Sequence, residues 1–441
     1  MSDGLVTTRM PAIESGPIAS LAEEPMGAFG AEPLRDRLLD VPIAAAPGLI
    51  GRAARTGLML SVHSELAAIE PEWRAFERTA AATAFQSFDW LAKWQRHIGA
   101  RQGTRPAVVL GRNGAGDLLF ILPLALERRR LVCQLCWLGG DLCDYHAPLL
   151  GEGFRAHLAE GFAPLWHDVL ALLRSSPRFR FDLIDLQQMP ETVGGEVNPF
   201  GDLKVTLHPS GAHIARLTGD WEKFYASKRS SANRKVERKK LKQMAERGEI
   251  GFADASDGVD AVHTMDVLMA QKGRALARMG VENFLLRPGY RDFFLDLATD
   301  ASLAGFVHVG SMTVGSTIAA TSFGLIHRDC YYLMLSSYDD GELAKFGPGR
   351  AHLHELIRRA IGRGLAYFDF TVGDESYKRE WSDVELRLYD HTAAATMRGL
   401  PVAAALAGYR RAKRFIKQTP VLWRAFSTAR STVAGVFRRA Q

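Results

Sequence analysis

The segment KFGPGRAHLHELIRRAIGRGLAYFDFTVGDESYKREW, residues 345–381, combines a glycine-containing turn, an apolar helical stripe and a short apolar strand. Its apolar residues recur at the spacing of one helix face, which predicts a helix with a buried side. Pro348 suits the first turn of this helix, and Gly364 suits the position just past its end. The strand FDFTVG and the polar stretch DESYKREW follow, so the segment predicts an α/β unit that carries chemistry. The stripe consists of Leu353, Leu356, Ile357, Ala360 and Ile361.

The turn at the start of this helix is a candidate anion site. Gly347 and Gly349 lie in a tight turn that follows a strand and runs into the helix N-terminus. A helix start of this kind exposes backbone N–H groups and a partial positive charge, which suits a pyrophosphate. Lys345 and Arg350 add positive charge. A turn without ligand is the alternative, because a G-x-G before a helix is by itself a weak motif.

The same order of elements occurs twice between about residue 58 and residue 395. Each half reads as helix, hairpin, strand, helix and strand, and each last strand carries an aspartate, Asp182 in one and Asp369 in the other. The second helix of each half, FAPLWHDVLALLRSS and GPGRAHLHELIRRAIGRG, is followed directly by that strand. The repeated order predicts an α/β fold, a mixed sheet with flanking helices, built as a tandem duplication.

A basic helical stretch, DWEKFYASKRSSANRKVERKKLKQMAERG, separates the two halves. Asp220 suits its start and Gly248 its end, which predicts one continuous helix over 220–248. Between Lys228 and Lys242 there are eight basic residues against Glu237 alone. A solvated helix face and a face turned toward a phosphate-bearing ligand both explain this run.

Composition and charge limit the classes of protein. The chain has 441 residues, 47% apolar, with only four cysteines, so we expect two or three domains in a reducing compartment and no disulfide framework. The net charge is +6, but residues 398–441 hold ten Arg or Lys and no Asp or Glu. The rest of the chain therefore carries −4, which makes a nucleic-acid partner unlikely despite the basic pI.

The patterning divides the chain into four parts. We expect a disordered leader over 1–57, an N-terminal domain over 58–209, a C-terminal domain over 210–397 and a basic amphipathic tail over 398–441. Around Pro420 the tail suggests two short amphipathic helices, which would either lie on an anionic membrane surface or form a tail that is solvated or docked on the protein. No secretory signal and no membrane-spanning stretch is visible, which predicts a cytoplasmic chain, with peripheral contact at the inner face of the membrane as an option.

One apparent metal motif is better explained by packing. Cys133, Cys136, Cys143 and His146 have the spacing C-x₂-C-x₆-C-x₂-H, which is similar to a zinc site. Leucine, valine and tryptophan residues interleave with the thiols, which favours buried cysteines of a strand, so we predict no metal. G-x-S-x-G, P-loop and H-E-x-x-H motifs are absent from the sequence, which leaves hydrolase, NTPase and zincin functions without support.

The sequence resembles a known family, the CelD/BcsL acetyltransferases of the GNAT superfamily, which is named for a role in cellulose biosynthesis. The resemblance covers about residues 58–395 and extends to the FemAB-type aminoacyltransferases, which have two such domains. It depends on EPEWRAFERT with FQSFDWLAKW, on WLGGDLCDY, on SKRSSANRKVERKKLKQM, and most specifically on FDFTVGDESYKREW. It implies two GNAT-like folds in one chain, with the acyl donor bound by the second.

The resemblance also implies acetyl-CoA as co-substrate, bound through Lys345, Gly347, Gly349 and Arg350. The usual GNAT pyrophosphate loop reads Q/R-x-x-G-x-G/A, and here Ala344 occupies its first position. The side-chain contact of that position is therefore missing, although the two glycines remain. Acetyl-CoA is implied by the resemblance, not by this motif, and whether the altered loop still binds CoA stays open.

Roles for the polar segment follow from the chemistry of acyl transfer, which needs a base, oxyanion donors and an acid for the leaving thiolate. GNAT enzymes often use a tyrosine as that acid, and Tyr377 occupies a suitable position. Asp374 or Glu375 would be the base, and Lys378 would bind an anionic donor or acceptor. Packing of Tyr377 on Trp381, four residues further along, and helix capping by Asp374 are the structural alternatives.

We therefore predict an N- or O-acyltransferase that transfers an acetyl group from acetyl-CoA to a sugar or a polysaccharide precursor. One alternative is a FemAB-like transferase that takes its aminoacyl group from tRNA, favoured by the basic helix. Another is a non-catalytic binding or assembly module of a polysaccharide synthase. The sequence does not identify the acceptor, because loops without a fixed signature build the acceptor pockets of this fold.

Overall fold

The computed structural model describes residues 48–158, 160–373 and 375–419. Most of the predicted leader, residues 1–47, and the end of the predicted tail lie outside these ranges. Asp374, one of the two candidate bases, lies outside them as well. Within the described ranges the chain forms three larger mixed or antiparallel sheets, a two-stranded ribbon and ten α-helices.

The bounds of the elements, in chain order, are as follows. The strands are β1 Leu49–Arg52, β2 Met59–His63, β3 Arg105–Pro106, β4 Val108–Arg112, β5 Leu118–Leu122, β6 Leu124–Arg128, β7 Cys133–Trp137, β8 Leu149–Leu150, β9 Leu183–Pro190, β10 Thr192–Val193, β11 Glu196–Val197, β12 Thr206–Leu207, β13 Ala212–Arg216, β14 Ile250–Asp254, β15 Val307–Val314, β16 Thr317–His327, β17 Cys330–Tyr338, β18 Tyr367–Val372, β19 Val384–Leu386 and β20 Leu388–Ala394. The helices are α1 Glu70–Glu77, α2 Phe88–Trp94, α3 Ala163–Arg174, α4 Trp221–Lys228, α5 Ser231–Ala245, α6 Gly258–Met279, α7 Tyr290–Thr299, α8 Pro348–Gly362, α9 Ser376–Trp381 and α10 Gly399–Gln418.

The predicted duplication is confirmed. In the first half, α2 precedes the β4–β5 hairpin, β7, α3 and β9, and in the second half α7 precedes the β15–β16 hairpin, β17, α8 and β18. Each half contains one parallel pair at the same place in this order, β7 with β9 and β17 with β18. The connecting helices α3 and α8 make these parallel pairings possible, because parallel strands need a crossover.

The helix predicted within residues 345–381 is α8, and its buried face agrees with the predicted apolar stripe. Leu353, Leu356, Ile357, Ala360 and Ile361 are all buried. Gly347 precedes the helix and Gly364 follows it, both with positive φ, 73° and 75°. An L-residue at either position would be strained, so these two glycines set where α8 begins and ends.

The position of strand β20 in the sheets does not agree with the predicted domain boundary. It pairs antiparallel with β9 from Leu388–Pro190 to Ala394–Leu183, so it belongs to a sheet of the first half and not to the C-terminal domain predicted over 210–397. The seven-stranded sheet of the second half has the order β14-β15-β16-β17-β18-β13-β19 and ends with β19. Strand pairing between distant segments leaves no local sequence signal, which explains the difference.

Two further predictions need correction. The leader predicted over 1–57 includes β1, which pairs with β2 from Leu49–Val62 to Arg52–Met59 and is therefore part of the fold. The helix predicted over 220–248 is two helices, because Arg229 has extended backbone dihedrals and the Ser230 hydroxyl caps α5 by accepting from Asn233 N. Asp220 caps α4 as predicted, by accepting from Lys223 N.

The two halves share a hydrophobic core. Trp90 of the first half contacts Phe293 of the second at 4.9 Å between ring centroids, and Phe85 contacts Tyr332 at 5.8 Å. Lys93 adds a largely buried ion pair, 2.6 Å from an Asp296 carboxylate oxygen. The core cluster that contains these rings draws on both halves, so the cleft between them is a fixed part of the structure.

The first part of the predicted tail is docked on the protein. Helix α10 packs on β20 and β9, and its Arg410 is buried, with guanidinium nitrogens 2.8 Å from Asp185 and 2.6 Å from the Thr392 hydroxyl. Of the two arrangements proposed for the tail, docking therefore applies to α10. The second predicted helix, beyond Pro420, lies outside the described residues. None of the described helices is long and apolar enough to cross a membrane.

We expect Arg410→Ala to lower the free energy of unfolding by about 3 kcal/mol, because it leaves the buried Asp185 and Asp390 carboxylates without their cation. Urea unfolding followed by fluorescence measures this loss. The matched control is Arg411→Ala, one position along the same helix and exposed, for which we expect a change within about 0.5 kcal/mol. A loss below about 1 kcal/mol for Arg410→Ala would show that α10 does not hold the two carboxylates.

Candidate active site between two cavities

The site is built on a gap in the sheet of the second half. Strands β17 and β18 pair only from Cys330–Tyr367 to Tyr332–Asp369, and beyond that point they diverge. A strand edge that loses its neighbour presents backbone N–H and C=O groups to whatever fills the space. Thr371, with a φ of 60°, lies on the diverging part of β18, and strained backbone of this kind is common at functional sites.

One cavity, of about 710 Å³, opens on the side of the gap where α8 begins, and we call it the helix cavity. Its walls are α8, α9 and the diverging end of β17, and α4 and α5 cover it. Ligand pockets commonly measure about 300–1,000 Å³, so this volume is that of a binding site. The residues that line it from these elements include Trp221, Tyr225, Arg238, Lys240, Ser336, Tyr338, Gly347, Gly349, Arg350, His354, Tyr377 and Trp381.

Three of the four predicted donor-binding residues line the helix cavity. Gly347, Gly349 and Arg350 surround the start of α8, and a Cβ on Gly349 would lie 2.9 Å from the Tyr338 ring. Arg350 is half exposed, with its guanidinium 3.3 Å from Glu237. Lys345 is not among the described residues that line the cavity, and its ammonium group lies 5.2 Å from the centroid of the Phe346 ring. The structure thus leaves Lys345 beside the site and not in it.

The basic helix contributes to the helix cavity in part. Arg238, Lys240 and Leu241 of α5 line it, so one side of the predicted basic face is turned toward this space. The turn between α4 and α5 is held by Arg229, which pairs with Glu237 at 2.6 Å and with Glu380 of α9. These ion pairs fix the two covering helices to the cavity wall.

A second cavity, of about 650 Å³, lies between the two halves on the other side of the gap, and we call it the inter-half cavity. The first half contributes β7, β9 and the segment after β7, and the second half contributes α6, α7 and the ends of β17 and β18. Three residues line both cavities: Leu333, Ser336 and Tyr377. The gap between β17 and β18 is therefore where the two spaces meet.

Tyr377, the predicted acid, lies at this junction. Burial and the neighbouring Glu375 carboxylate raise its pKa, so its hydroxyl keeps its proton at neutral pH. Its ring makes an edge-to-face contact with Phe370, 6.2 Å between centroids, and packs on the hydrophobic cluster that also contains Trp381. Tyr377 is thus held by packing and also reaches both cavities.

Glu375 and Lys378 form a buried pair in the inter-half cavity. Their charged atoms are 3.3 Å apart, and Lys378 also donates to the Val372 carbonyl at 2.8 Å. Gly373, at φ 153°, lies directly against them, and a Cβ there would overlap the Glu375 carboxylate. Lys378 lines the inter-half cavity and not the helix cavity. The geometry therefore does not favour a contact between Lys378 and a donor that is bound in the helix cavity.

The first half supplies residues to this site that sequence reasoning missed. Tyr145 donates to both oxygens of Asp369 at 2.8 and 2.9 Å across the two halves. Burial raises the pKa of Asp369 to about 7, against the lowering effect of this hydrogen bond. Burial also raises the pKa of the adjacent Asp144 to about 6. Asp144 and Tyr145 belong to the motif WLGGDLCDY. The acidic and aromatic residues of this motif were the one sequence signal that could have indicated their part in the site.

Lys272 of α6 is a second residue that sequence reasoning missed. Its side chain is buried and lines the inter-half cavity, and its ammonium group is 3.5 Å from the Ser336 carbonyl at the gap. Among the described residues no carboxylate lies within ion-pair distance of it, and burial lowers its pKa to about 8. An interior position of α6 gave no reason to single out this lysine among the other basic residues.

We expect Asp369→Asn to change how stability depends on pH. Because the folded-state pKa of about 7 exceeds the ordinary value of 3.8, the folded chain binds this proton more tightly than the unfolded chain. Ionisation of Asp369 therefore lowers the free energy of unfolding as pH rises from about 4 to 7, by an amount on the order of 4 kcal/mol at about 1.36 kcal/mol per pKa unit. The variant lacks this loss, so its advantage over the wild type should grow with pH in urea unfolding at pH 5, 6, 7 and 8.

The control for this measurement is Asp182→Asn, at the residue directly before β9, the corresponding strand of the first half. Hydrogen bonds from Cys133 N and Thr396 lower the pKa of Asp182, so its contribution to stability is complete above pH 4. Its difference from the wild type should be constant between pH 5 and 8. A constant difference for Asp369→Asn as well would show that Asp369 is ionised throughout this range.

The other polar residues noted in the sequence have structural surroundings. His352 accepts from or donates to the Ser322 hydroxyl at 3.0 Å and is buried, while His354 packs among Trp221, Tyr225 and Trp381 beside the helix cavity. In the described ranges no group of three or more His, Cys, Asp or Glu side chains is arranged to hold a metal ion. The Cys143 thiol instead accepts from the Trp90 indole N–H at 3.2 Å.

Comparison with known proteins agrees with this geometry. Residues 231–379 match the family model described as an acetyltransferase (GNAT) domain, a range that contains α8, the gap and most of α9. No curated protein matches the sequence. The finer resemblance to the CelD/BcsL group finds no support in these comparisons.

Solved structures share the fold across most of the chain. The crystal structure of FemX is 10% identical, covers 76% of this chain and 97% of its own, and has a TM-score of 0.52. The C-terminal domain of a putative lysylphosphatidylglycerol synthetase from Agrobacterium fabrum (12% identity, 78% and 95% coverage, TM-score 0.46) and a tandem GNAT protein from the clavulanic acid biosynthesis pathway (11%, 77% and 98%, 0.40) are more distant in shape. At such identities the FemX likeness shows the fold alone. The chain thus has a mixed α/β fold whose two halves repeat one order of elements, and its second half is similar to a GNAT acetyltransferase domain.

Proposed function

We propose that the chain is an acyltransferase that binds its acyl donor in the helix cavity and transfers the acyl group at the gap between β17 and β18. The observation that carries this proposal is the meeting of the two cavities at Ser336 and Tyr377, within the range that matches a GNAT domain. A transferase needs separate access for donor and acceptor to one reaction point, and this arrangement supplies it.

The donor we propose is acetyl-CoA. The residues fit a pyrophosphate-bearing thioester, because the start of α8 brings the Arg350 guanidinium to the cavity together with the Gly349 N–H, which makes no backbone hydrogen bond among the described residues. The gap then leads from this anion site to Tyr377. Ala344 in place of the usual glutamine or arginine removes one contact, and Arg238 and Lys240 of α5 face the same cavity and offer others.

The residues at the junction fit the acid and base roles of acyl transfer. Glu375 takes the proton of the acceptor, whose oxygen or nitrogen forms a bond to the acyl carbon while the carbon–sulfur bond breaks. Tyr377 gives its proton to the departing sulfur and regains one from solvent, and the proton on Glu375 leaves to solvent. Asp374 stays an alternative base. Backbone N–H groups of β17 at the gap are suited to the developing oxyanion.

As acceptor we propose a sugar or a polysaccharide precursor, in line with the CelD/BcsL resemblance of the sequence. Transfer to oxygen or to nitrogen is open within this proposal. A cytoplasmic location, with peripheral membrane contact through residues 398–441, belongs to the same proposal, and the exposed Tyr409 and Phe415 of α10 beside Arg411 are compatible with it.

One observation favours a second candidate, an aminoacyl-tRNA-dependent transfer of the FemAB type. The basic helix α5 lies over the helix cavity, and phosphate contacts of its lysines and arginines would make tRNA binding strongly salt-dependent. Against this second candidate, the helices α4 and α5 that cover the cavity are short, and Arg229 holds them to the cavity wall. This arrangement is compatible with a compact donor such as acetyl-CoA.

Calorimetry on the full chain with acetyl-CoA and with longer acyl-CoAs tests the proposed donor. We expect saturable binding, and Arg350→Gln should raise the Kd about tenfold, the effect of losing one charge-assisted hydrogen bond. The control is Arg291→Gln, an equally exposed arginine on α7 that pairs with Asp266 away from both cavities. No binding of any acyl-CoA would contradict the proposal, and salt-dependent tRNA binding in its place would favour the second candidate.

A further inference from the structure

The inter-half cavity has a polar lining that the proposed function leaves without a partner. Six acidic and six basic side chains line it, together with four glutamines. Because the numbers of acidic and basic side chains are equal, this surface attracts neither a polyanion nor a polycation, and its polar groups disfavour an acyl chain. It is complementary to a neutral ligand whose groups both donate and accept hydrogen bonds, and hydroxyl groups have this property.

Two buried polar groups on its walls have no hydrogen-bond partner that satisfies them. Lys272 is 5% exposed, and its ammonium group, a donor of three hydrogen bonds, has one long contact of 3.5 Å to the Ser336 carbonyl. Trp137 of β7 is 4% exposed, and its indole N–H makes no hydrogen bond among the described residues. Both groups line the cavity, so a ligand that supplies acceptors there would satisfy them.

These two groups lie at different places in the inter-half cavity, one at the gap and one on the wall formed by the first half. Lys272 contacts the Ser336 carbonyl at the gap, where the reaction is proposed to occur, and interacts electrostatically with Glu375. Trp137 lies on the wall formed by the first half, with its ring parallel to that of His146 at 6.5 Å. Strained backbone at Gln188, φ 54°, adds a further feature of functional sites on the same wall.

From these observations we propose that the inter-half cavity is the acceptor site, that it takes a neutral polyhydroxyl acceptor, and that Lys272 and Glu375 hold the reacting hydroxyl between them while Trp137 of the first half binds a second hydroxyl. This inference rests on the proposed function and extends it, because it gives the first half a role in acceptor recognition. In the step itself Glu375 takes the hydroxyl proton, the oxygen bonds to the acyl carbon, and the sulfur leaves with the Tyr377 proton.

The test uses the full chain with acetyl-CoA and follows thiol release with D-glucose, cellobiose and N-acetyl-D-glucosamine as neutral probes, D-glucuronic acid as an anionic probe and D-glucosamine as an amine. We expect release above hydrolysis with a neutral probe and an ester product by mass spectrometry. Lys272→Met should lower kcat/KM for that probe at least about 30-fold, and Trp137→Phe should raise its KM about fivefold, as expected for lost charged and neutral hydrogen bonds.

Two further measurements separate function from structure. Lys272→Met removes a buried cation without an ion-pair partner and should leave the urea midpoint unchanged or raise it, whereas a lysine with a structural role would lower it. Trp94→Phe is the matched control for Trp137→Phe, because the Trp94 indole N–H is also buried without a partner in the described part of the chain, but Trp94 lines neither cavity. It should leave the KM unchanged.

The outcomes distinguish the two proposals. If acetyl-CoA and longer acyl-CoAs do not bind in calorimetry, the proposed function fails and this inference fails with it. If acetyl-CoA binds but no neutral probe promotes thiol release, or only the amine or the anionic probe does, the inference alone is overturned. It is also overturned if a neutral probe reacts equally well with wild type, Lys272→Met and Trp137→Phe.

Discussion

Replacing Glu375 by glutamine should lower kcat about 10²–10⁴-fold, the usual contribution of a general base, and should leave acetyl-CoA binding within about twofold of wild type. The glutamine keeps the size of the side chain but does not accept a proton. Glu375 does not line the helix cavity, so the donor should not sense the change. Thiol release with the best neutral probe and calorimetry with acetyl-CoA measure the two effects.

The geometry supports this expectation at the level of one atom. Glu375 is 4% exposed, and its Oε2 makes no hydrogen bond among the described residues, although the Lys378 ammonium is 3.3 Å away. A carboxylate oxygen with a free lone pair in a polar cavity is available to an incoming hydroxyl.

A control and a competing variant make the result decisive. Glu385→Gln, on the exposed side of β19, should leave kcat unchanged. Asp374→Asn tests the other base suggested by the sequence. Loss of turnover in Asp374→Asn, with normal turnover in Glu375→Gln, would assign the base to Asp374 and contradict the role given to Glu375.

The local features of the fold were predictable from the sequence because they depend on short-range physics. The apolar stripe and the flanking glycines of α8 define a helix through periodicity and capping, and the structure confirms both the buried face and the ends. The repeated order of helix, hairpin and strand indicated the duplication for the same reason. Asp220 caps α4 as expected, since a cap needs only its own first turn.

The features that failed depend on long-range contacts. The helix break at Arg229 follows from ion pairs with Glu237 and Glu380, one of them 151 residues away in the sequence. The strand β20 returns to β9 of the first half across almost 200 residues. No local pattern encodes such pairings, so a sequence without an alignment assigned these residues to the wrong elements.

The candidate site shows the same division. Gly347, Gly349, Arg350 and Tyr377 were found because they lie in one contiguous segment with a recognisable order. Asp144, Tyr145 and Lys272 come from other elements and meet that segment only in the folded chain, as in the Tyr145–Asp369 hydrogen bond across 224 positions. What the sequence indicated was therefore the half of the candidate site that we assign to the donor, and what it missed was the half that we assign to the acceptor.

The second large effect is expected from Tyr377→Phe, which should lower kcat about 10²-fold with acetyl-CoA and leave its Kd unchanged. The variant keeps the ring that contacts Phe370 and removes only the proton that we assign to the departing sulfur. Because burial and Glu375 raise the pKa of this hydroxyl, the wild-type group remains protonated over the working pH range and acts as an acid.

The nature of the leaving group distinguishes this role from packing. An aryl thiolate departs without protonation, so the loss caused by Tyr377→Phe should be much smaller with the acetyl thioester of thiophenol than with that of N-acetylcysteamine, whose alkyl thiolate is more basic. Tyr338→Phe, which removes a hydroxyl from the wall of the helix cavity, should affect both donors equally. An equal loss for both thioesters in Tyr377→Phe would mean that the hydroxyl positions the donor or the strand and does not donate a proton. The pair of thioesters therefore decides whether Tyr377 is an acid or a wall of the site, independently of how large the loss of kcat is.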